Sequence, residues 1–470
     1  MSQWKWNGNG SSGSSSLRAE TAARAADKVA GAGRGASEHL APAGPDTRES
    51  KRLTEWLHQR LVRQIDPTLI VDEAGGKSRD LVAAAARALM AAEAPNITGE
   101  LKEETINLVV DEVLGFGPLE PLLRDPNVSE VMVNAPDIVY YERDGKLYES
   151  GQHFRDSEHV MHVIERIITP TGRHVDEGSP MVDARLPDGS RVNVVIPPLA
   201  PDSPTITIRK FRTDRFGMDD LVKIGSITAE IGAFVGACVR AKVNMLVSGG
   251  TGSGKTTLLN ILSSFIPESE RIVTIEDPLE LKLQQRHVVR LEARPSSIEG
   301  QGEISQRDLF RNSLRMRPDR IILGEVRGAE AFDMLQAMNT GHEGSLGTLH
   351  ANSSRDAIAR IESMVLLAGF DIPISVIREQ ISSAVHLIIQ MARMPDGSRR
   401  LTHITEVLGL EGTVVSLQDI FRYVIDDADE DGTIRGHFEA TGVRPRFVDK
   451  LQTFGYQVGP ETFIAGRRFG

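Results

Sequence analysis

The run Ser248-Gly249-Gly250-Thr251-Gly252-Ser253-Gly254-Lys255-Thr256-Thr257 constrains this chain more than any other stretch, because it fits the phosphate-loop pattern G-x-x-x-x-G-K-[ST]. An apolar run (Met245, Leu246, Val247) precedes it and a helix-like run (Leu258 to Leu262) follows, the strand, loop, helix order that the pattern requires. Its glycines let successive backbone N–H groups turn inward on an anion with no Cβ in the way, and the following helix adds its partial positive end. The expected nucleotide-binding residues are Gly250, Thr251, Gly252, Ser253, Gly254, Lys255, Thr256 and Thr257. Lys255 would reach the β- and γ-phosphates as a point charge, and the Thr256 hydroxyl would be a ligand of Mg2+. ATP and Mg2+ are the cofactors expected.

Around this loop the apolar strands Met245 to Val247, Arg271 to Ile275, Ile321 to Leu323 and Ser345 to Leu349 alternate with helical runs, which predicts an α/β domain with a mostly parallel sheet. In such sheets ligands lie at the carboxyl ends of the strands. The second strand ends in Glu276-Asp277-Pro278-Leu279-Glu280 and the third in Gly324-Glu325. Nucleotide hydrolysis needs one carboxylate to orient or deprotonate the attacking water and another in the Mg2+ shell. The usual second nucleotide motif has Asp where this chain has Gly324, so Glu325 is expected to hold the metal through water and Glu280 to activate the nucleophile. A third cluster, Gly341 to Asn352, carries His342 and His350, and a histidine just past a strand can sense the γ-phosphate by hydrogen bonding.

The remainder of the 470 residues divides by composition and period. Residues 1–47 are rich in Gly, Ser and Ala and are expected to be disordered, since they cannot bury enough surface to offset their ordering entropy. Residues 48–114 read as a bundle of three amphipathic helices: Leu53, Trp56, Leu57, Leu61, Val62 and Ile65 share one face of the first, while Ser78 and Thr98 can cap the second and third. Residues 115–211 read as an α+β domain with a hairpin turned at Asp144-Gly145 and three arginines, Arg185, Arg191 and Arg209, in or beside strands. A linker is expected at 212–227, then the nucleotide domain with a C-terminal extension over 228–470. The acidic run Asp426 to Asp431 reads as a solvated loop.

Composition narrows the partners. A net charge of −11 argues against a nucleic-acid-coating surface, and no nucleic acid is expected. The single cysteine, Cys238, sits in an apolar helical run and is expected to be buried and inert, which fits a reducing cytosol. No apolar stretch approaches the roughly 18 residues of a transmembrane helix, so any membrane contact is expected to run through a partner.

The motifs together resemble the secretion ATPases of type II and type IV systems, and among them the CpaF group of Tad-type pilus motors. GGTGSGKTT (249 to 257), RIVTIEDPLEL (271 to 281), RPDRIILGEVRG (317 to 328) and TGHEGSLGTLHAN (340 to 352) are similar to that family's phosphate loop, aspartate box, second nucleotide motif and histidine box, in its order. The Gly-Glu ending at 324 to 325 is itself a feature of the family. Residues 115 to 134, 184 to 201 and 205 to 211 resemble the CpaF-type domain ahead of the motor, and 406 to 421 and 440 to 447 its C-terminal end. The resemblance implies a RecA-like P-loop ATPase domain behind a PAS-like α+β domain, assembled as a homohexamer. It also implies that Arg191 and Arg209 close on the γ-phosphate, with Arg185 a further candidate. By the same carry-over Glu280 is the general base, and His342 and His350 couple nucleotide state to ring shape. The function implied is a Mg2+-dependent cytoplasmic ATPase, peripheral at the inner face of the membrane, that works on pilin subunits through an inner-membrane pilus platform protein. A type II or conjugation-type type IV secretion motor and a non-hydrolysing nucleotide-binding scaffold are the alternatives.

Overall fold

The computed structural model describes residues 47–64, 76–143, 145–211, 216–294, 302–429 and 432–469. The chain divides into two compact units, Met1–Lys210 and Phe211–Gly470. The expectation of disorder over 1–47 lies outside the described residues, except that Thr47 opens the first helix.

In the first unit, helices α1 (Thr47–Gln64), α2 (Gly76–Glu93) and α3 (Glu100–Leu114) share a core of Leu57, Leu61, Val82, Ala86, Met90, Ile106 and Val109. Their heptad-like apolar spacing dictates this packing, with two corrections to the reading of the sequence. Val62, expected on the buried face, is 57% exposed. The expected caps are displaced: Ser78 falls within α2 (Gly76–Glu93) rather than ahead of it, and the N-cap position of α3 is Gly99 at φ 72°, one residue past Thr98.

A six-stranded antiparallel sheet follows, with strands β1 (Val128–Ala135), β2 (Ile138–Arg143), β3 (Lys146–Glu149), β4 (Met181–Arg185), β5 (Arg191–Val195) and β6 (Thr205–Arg209) in the order β3-β2-β1-β6-β5-β4. The short helix α4 (Glu120–Arg124) precedes it, and α5 (Ser157–Ile168) supplies Val160, Val163, Ile164 and Ile167 to its core. Asp156 caps α5, accepting a hydrogen bond from the His159 N–H at 2.8 Å. Alternation puts Val192, Val194, Ile206 and Ile208 into that core and the side chains between them on the opposite face.

The second unit is built on one ten-stranded sheet. Strands β7 (Met245–Gly249), β8 (Ile272–Glu276), β9 (Val288–Glu292), β10 (Arg320–Leu323), β11 (Leu346–Leu349) and β12 (Leu387–Arg393) run parallel in the order β12-β7-β11-β10-β8-β9. The longer strands β13 (Arg399–Glu411) and β14 (Val414–Ala428), then β15 (Ile434–Ala440) and β16 (Arg468–Phe469), extend it antiparallel from β12. Both faces are covered, so the inner parallel strands are buried along most of their length rather than alternating, while the edge strand β9 exposes Arg290 and Glu292. Met245, Val247 and Leu258 pack in one core with α7 (Ala229–Arg240) and α8 (Lys255–Ser263), preceded by α6 (Met218–Lys223). Leu246, Val273 and Leu323 pack in the other, beneath α10 (Glu330–Asn339), α11 (Ser354–Leu367) and α12 (Ile374–Ala384). Two short helices, α9 (Gln306–Ser313) and α13 (Val448–Thr453), complete the unit.

Three features of this unit differ from the sequence reading. The stretch read as a linker contains α6, and Leu221 and Ile227 are buried in the unit's core, so its apolar residues dock it. Asp426 and Asp427 belong to β14, where His437 pairs with Asp426 at 2.8 Å, rather than to a loop. The C-terminal strands were not individually legible. Cys238 is fully buried, and burial pushes its thiol far above the ordinary range. Among the described residues no helix is long and apolar enough to cross a membrane.

Candidate functional site

Because the inner strands are parallel, β7, β8, β10, β11 and β12 all end at one edge of the sheet, and the residues following them converge there. β7 leads into the phosphate loop, whose Gly252 and Gly254 have φ of 70° and 96°, left-handed values that a side chain rarely adopts. A Cβ added at Gly250 would meet nothing, so the loop opens a cradle of the kind a phosphate fills. The Lys255 ammonium donates to the Gly250 carbonyl at 2.9 Å, and the Ser253 hydroxyl to the same oxygen at 2.9 Å. Ser253 thus spends its side chain inside the loop. Thr251, between Gly250 and Gly252, and Thr257, in the first turn of α8, are exposed.

β8 ends in Glu276, which is 1% exposed and accepts hydrogen bonds from the Glu280 N–H (2.6 Å), the Leu281 N–H (2.7 Å) and the Thr274 hydroxyl (3.1 Å). Burial pushes its carboxyl above the usual range against those donors. Its work is to shape the turn that carries Glu280. The Glu280 carboxylate accepts from the Thr256 hydroxyl at 3.4 Å, which places the expected base beside the expected metal ligand. Glu276 and Glu280 therefore separate into one buried and one half-buried carboxylate with different tasks.

β10 continues into Gly324 and Glu325. The Gly324 N–H bonds the Ile275 carbonyl and its own carbonyl accepts from Thr348, so the residue bridges β8 and β11. Glu325 accepts from Arg327 Nη2 at 2.6 Å, and His350 Nε2 lies 3.2 Å from its other oxygen. Burial acts to raise the Glu325 carboxyl, but Arg327, His350 and Lys255 outweigh it and hold the group below the usual carboxylate range. Burial and the neighbouring Lys255 push His350 below the ordinary histidine value, leaving it neutral near pH 7, and its N–H can then donate to Glu325.

The structure does not bring the two histidines together. His350 follows β11 and faces Glu325; His342 precedes β11 and lies at the opposite edge of the sheet, where its N–H bonds the Ala337 carbonyl. Of the two, His350 is the one that stands at the loop edge beside Glu325. Arg327 was missed as a site residue by sequence reasoning. It interacts with Glu325, and the charges of Asp277 and Glu280 also act on it, so it belongs to the carboxylate cluster. Its place two residues past Glu325 in the same motif was the available signal.

In the first unit Arg185, Arg191 and Arg209 form a row: Arg191 is the register partner of both Arg185 and Arg209. All three lie on the face turned away from the unit's core, and Arg209 also approaches Glu130 at 3.8 Å.

The chain matches the family model described as "Type II/IV secretion system protein" over residues 112–415. It is 38% identical over 331 residues to a putative conjugal transfer protein of Mycobacterium tuberculosis, covering 69% of this chain and 94% of that one. It is 30% identical over 347 residues to the type IV secretion system protein VirB11 of Bartonella henselae, covering 65% and 94%. The crystal structure of the VirB11 ATPase of Brucella suis in complex with sulphate aligns over 61% of this chain and 91% of that one, at 29% identity and a TM-score of 0.34. The matched span contains both the arginine row and every carboxylate at the loop edge, and on that match the chain belongs to the type II/IV secretion system protein family.

Proposed function

We propose that this chain is a Mg2+-dependent ATPase that turns hydrolysis into mechanical work for a secretion or pilus machine. The observation that carries the reading is the convergence of Lys255, Thr256, Glu280 and Glu325 on one sheet edge around a phosphate loop. The division of labour follows from their surroundings. Glu325 has its charge tied to Arg327 and His350, which makes it a poor proton acceptor and a suitable outer partner for a metal-bound water. Glu280 stands beside the Thr256 hydroxyl on a turn whose N–H is fixed by the buried Glu276 carboxylate, which suits a base that takes the proton of the attacking water as its oxygen bonds to the γ-phosphorus and ADP leaves. Mg2+, when bound through Thr256, supplies neutralisation of charge on the β- and γ-oxygens. Arg191 and Arg209 would close on the γ-phosphate and stabilise its developing charge, as the family resemblance implies. A ligand moves a protein only through differential affinity for two states, and these arginine contacts, present with ATP and lost after hydrolysis, would provide it.

For the machine, the reading is a homohexameric motor of a Tad-type pilus, working at the cytoplasmic face of the membrane through a platform protein, with a helical bundle over 48–114 and a PAS-like domain over 115–211 ahead of the RecA-like motor domain. What supports it is the CpaF-like sequence at 115 to 134 and 184 to 201. A conjugation-type type IV secretion motor is the second reading, favoured by the relative described as a conjugal transfer protein.

The test is phosphate release from Mg·ATP by the full chain, with assembly mass measured in parallel. The wild type should turn over ATP, and Lys255→Ala and Glu280→Gln should lose turnover by about 100-fold or more. Binding of ATP without turnover, in every assembly state, would replace the motor by a nucleotide-binding scaffold.

A further inference from the structure

On the flank of the phosphate loop away from Glu325 stand two arginines to which neither the motifs nor the mechanism gives a task. β12 runs parallel to β7 with Met391 opposite Gly249, so it ends where the loop begins. The chain then turns through Met394 to Ser398 and returns as β13 with Arg399 the register partner of Arg393. The turn is fixed: the Met394 N–H bonds the Ser398 carbonyl at 2.8 Å, and Asp396 accepts from the Ser398 N–H, the Ser398 hydroxyl and the Ile434 N–H. Arg399 Nε donates to the Gly252 carbonyl at 2.9 Å, and a Cβ at Gly254 would lie 3.5 Å from Arg399 Cδ. Arg393 Nη1 comes within 3.8 Å of the Cβ position of Gly252. Two guanidinium groups therefore flank the middle of the loop from a rigid hairpin.

Two guanidinium groups on one register at the loop's flank present paired cationic donors to an anion seated in the loop. We infer that Arg393 and Arg399 form a second cationic flank of the nucleotide site, contacting the diphosphate that ADP and ATP share. The inference rests on the nucleotide reading of the loop. Its specificity for the diphosphate follows from topology. β11, β10 and β8 lie on one side of β7 and bring Glu325, His350 and Glu280 to the γ-phosphate end, whereas β12 is the neighbour on the other side. A guanidinium offers two parallel N–H donors to a phosphate, which a lysine in the same place does not.

Full-chain protein carrying Arg393→Gln, Arg399→Gln or both is titrated calorimetrically with Mg·ADP and with a non-hydrolysable Mg·ATP analogue, with Lys255→Ala as reference and apo melting temperatures recorded. Each single variant should lose about tenfold in affinity for both ligands alike, the double variant more, and KM should rise by a larger factor than kcat falls. Arg399→Lys should recover only part of the loss. Unchanged Mg·ADP affinity in the double variant, or a loss confined to the ATP analogue, overturns the inference. So does a lowered apo melting temperature with normal affinity, which would make Arg399 a strut for the Gly252 carbonyl alone. If the wild type binds Mg·ADP and Lys255→Ala does not, such a result removes only this inference; if the two bind equally, the nucleotide reading of the loop falls with it.

Discussion

Gly324 stands against Glu276 so closely that a Cβ added to it would lie 2.9 Å from Glu276 Cγ. The Gly-Glu ending of β10 is therefore a packing requirement: an aspartate in that slot would collide with the buried carboxylate that holds the Glu280 turn. The absence of the usual aspartate and the presence of Glu276 are one feature seen from two strands.

Gly324→Asp is expected to displace Glu276 rather than to supply a better metal ligand. Releasing the Glu280 and Leu281 N–H groups leaves buried donors unsatisfied, at about 1–3 kcal/mol. Chemical denaturation should show that loss, and ATP turnover should fall with it. Increased turnover at unchanged stability would overturn the account.

Much of this site was legible because each motif is short in sequence and the parallel topology does the assembling. A strand of four or five apolar residues followed by Glu276 to Glu280, by Glu325 or by His350 announces which residue meets the ligand edge. What the sequence left open depends on contacts between strands far apart in the chain. His342 and His350 look like one motif, yet the extended backbone of β11 carries them to opposite edges. Arg399 is 147 residues from the glycine whose carbonyl it bonds, and only the β7 to β12 pairing brings them together. The antiparallel strands β13 to β16 were hidden by their mixed polarity. Helix α6 was hidden by its shortness, which gives amphipathic period too few turns to register.

The pair Glu325 and Arg327 sets a pH dependence whose sign can be worked out. Glu325 has its folded value held below that of the unfolded chain, so the stabilisation it contributes is present above the ordinary carboxylate range and is lost as pH falls through the lowered folded value. Arg327→Gln removes a principal cause of that lowering. The acid limb of kcat/KM for ATP should therefore move to higher pH in the variant, while the basic limb stays. An acid limb that does not move would mean that Glu325 does not titrate in the active site.

The arginine row makes a separate demand. Arg209 is on the face away from its unit's core and its side chain is 55% exposed, so Arg209→Ala should leave the melting temperature nearly unchanged. If it closes on the γ-phosphate in the transition state, kcat should fall by about 100-fold or more while Mg·ADP affinity changes little. Arg191→Ala, its ladder partner, should behave in the same way. Equal losses in ADP binding and turnover would assign the row to ground-state binding instead.

The separation of the histidines yields the last prediction. His350 faces Glu325 and carries a neutral ring near pH 7, so His350→Ala removes a donor from the carboxylate expected to organise the metal-bound water, and kcat should fall by about 10-fold or more. His342 lies at the other edge of the sheet, and among the described residues its buried Nδ1 has no hydrogen-bond partner. His342→Ala should leave Mg·ADP affinity within about twofold, because no group at the loop edge depends on it for position. Any effect of His342 on turnover should then appear in how activity depends on assembly, measured as specific activity against protein concentration. A loss of nucleotide affinity in His342→Ala equal to that in His350→Ala would contradict the placement of the two rings at opposite ends of β11.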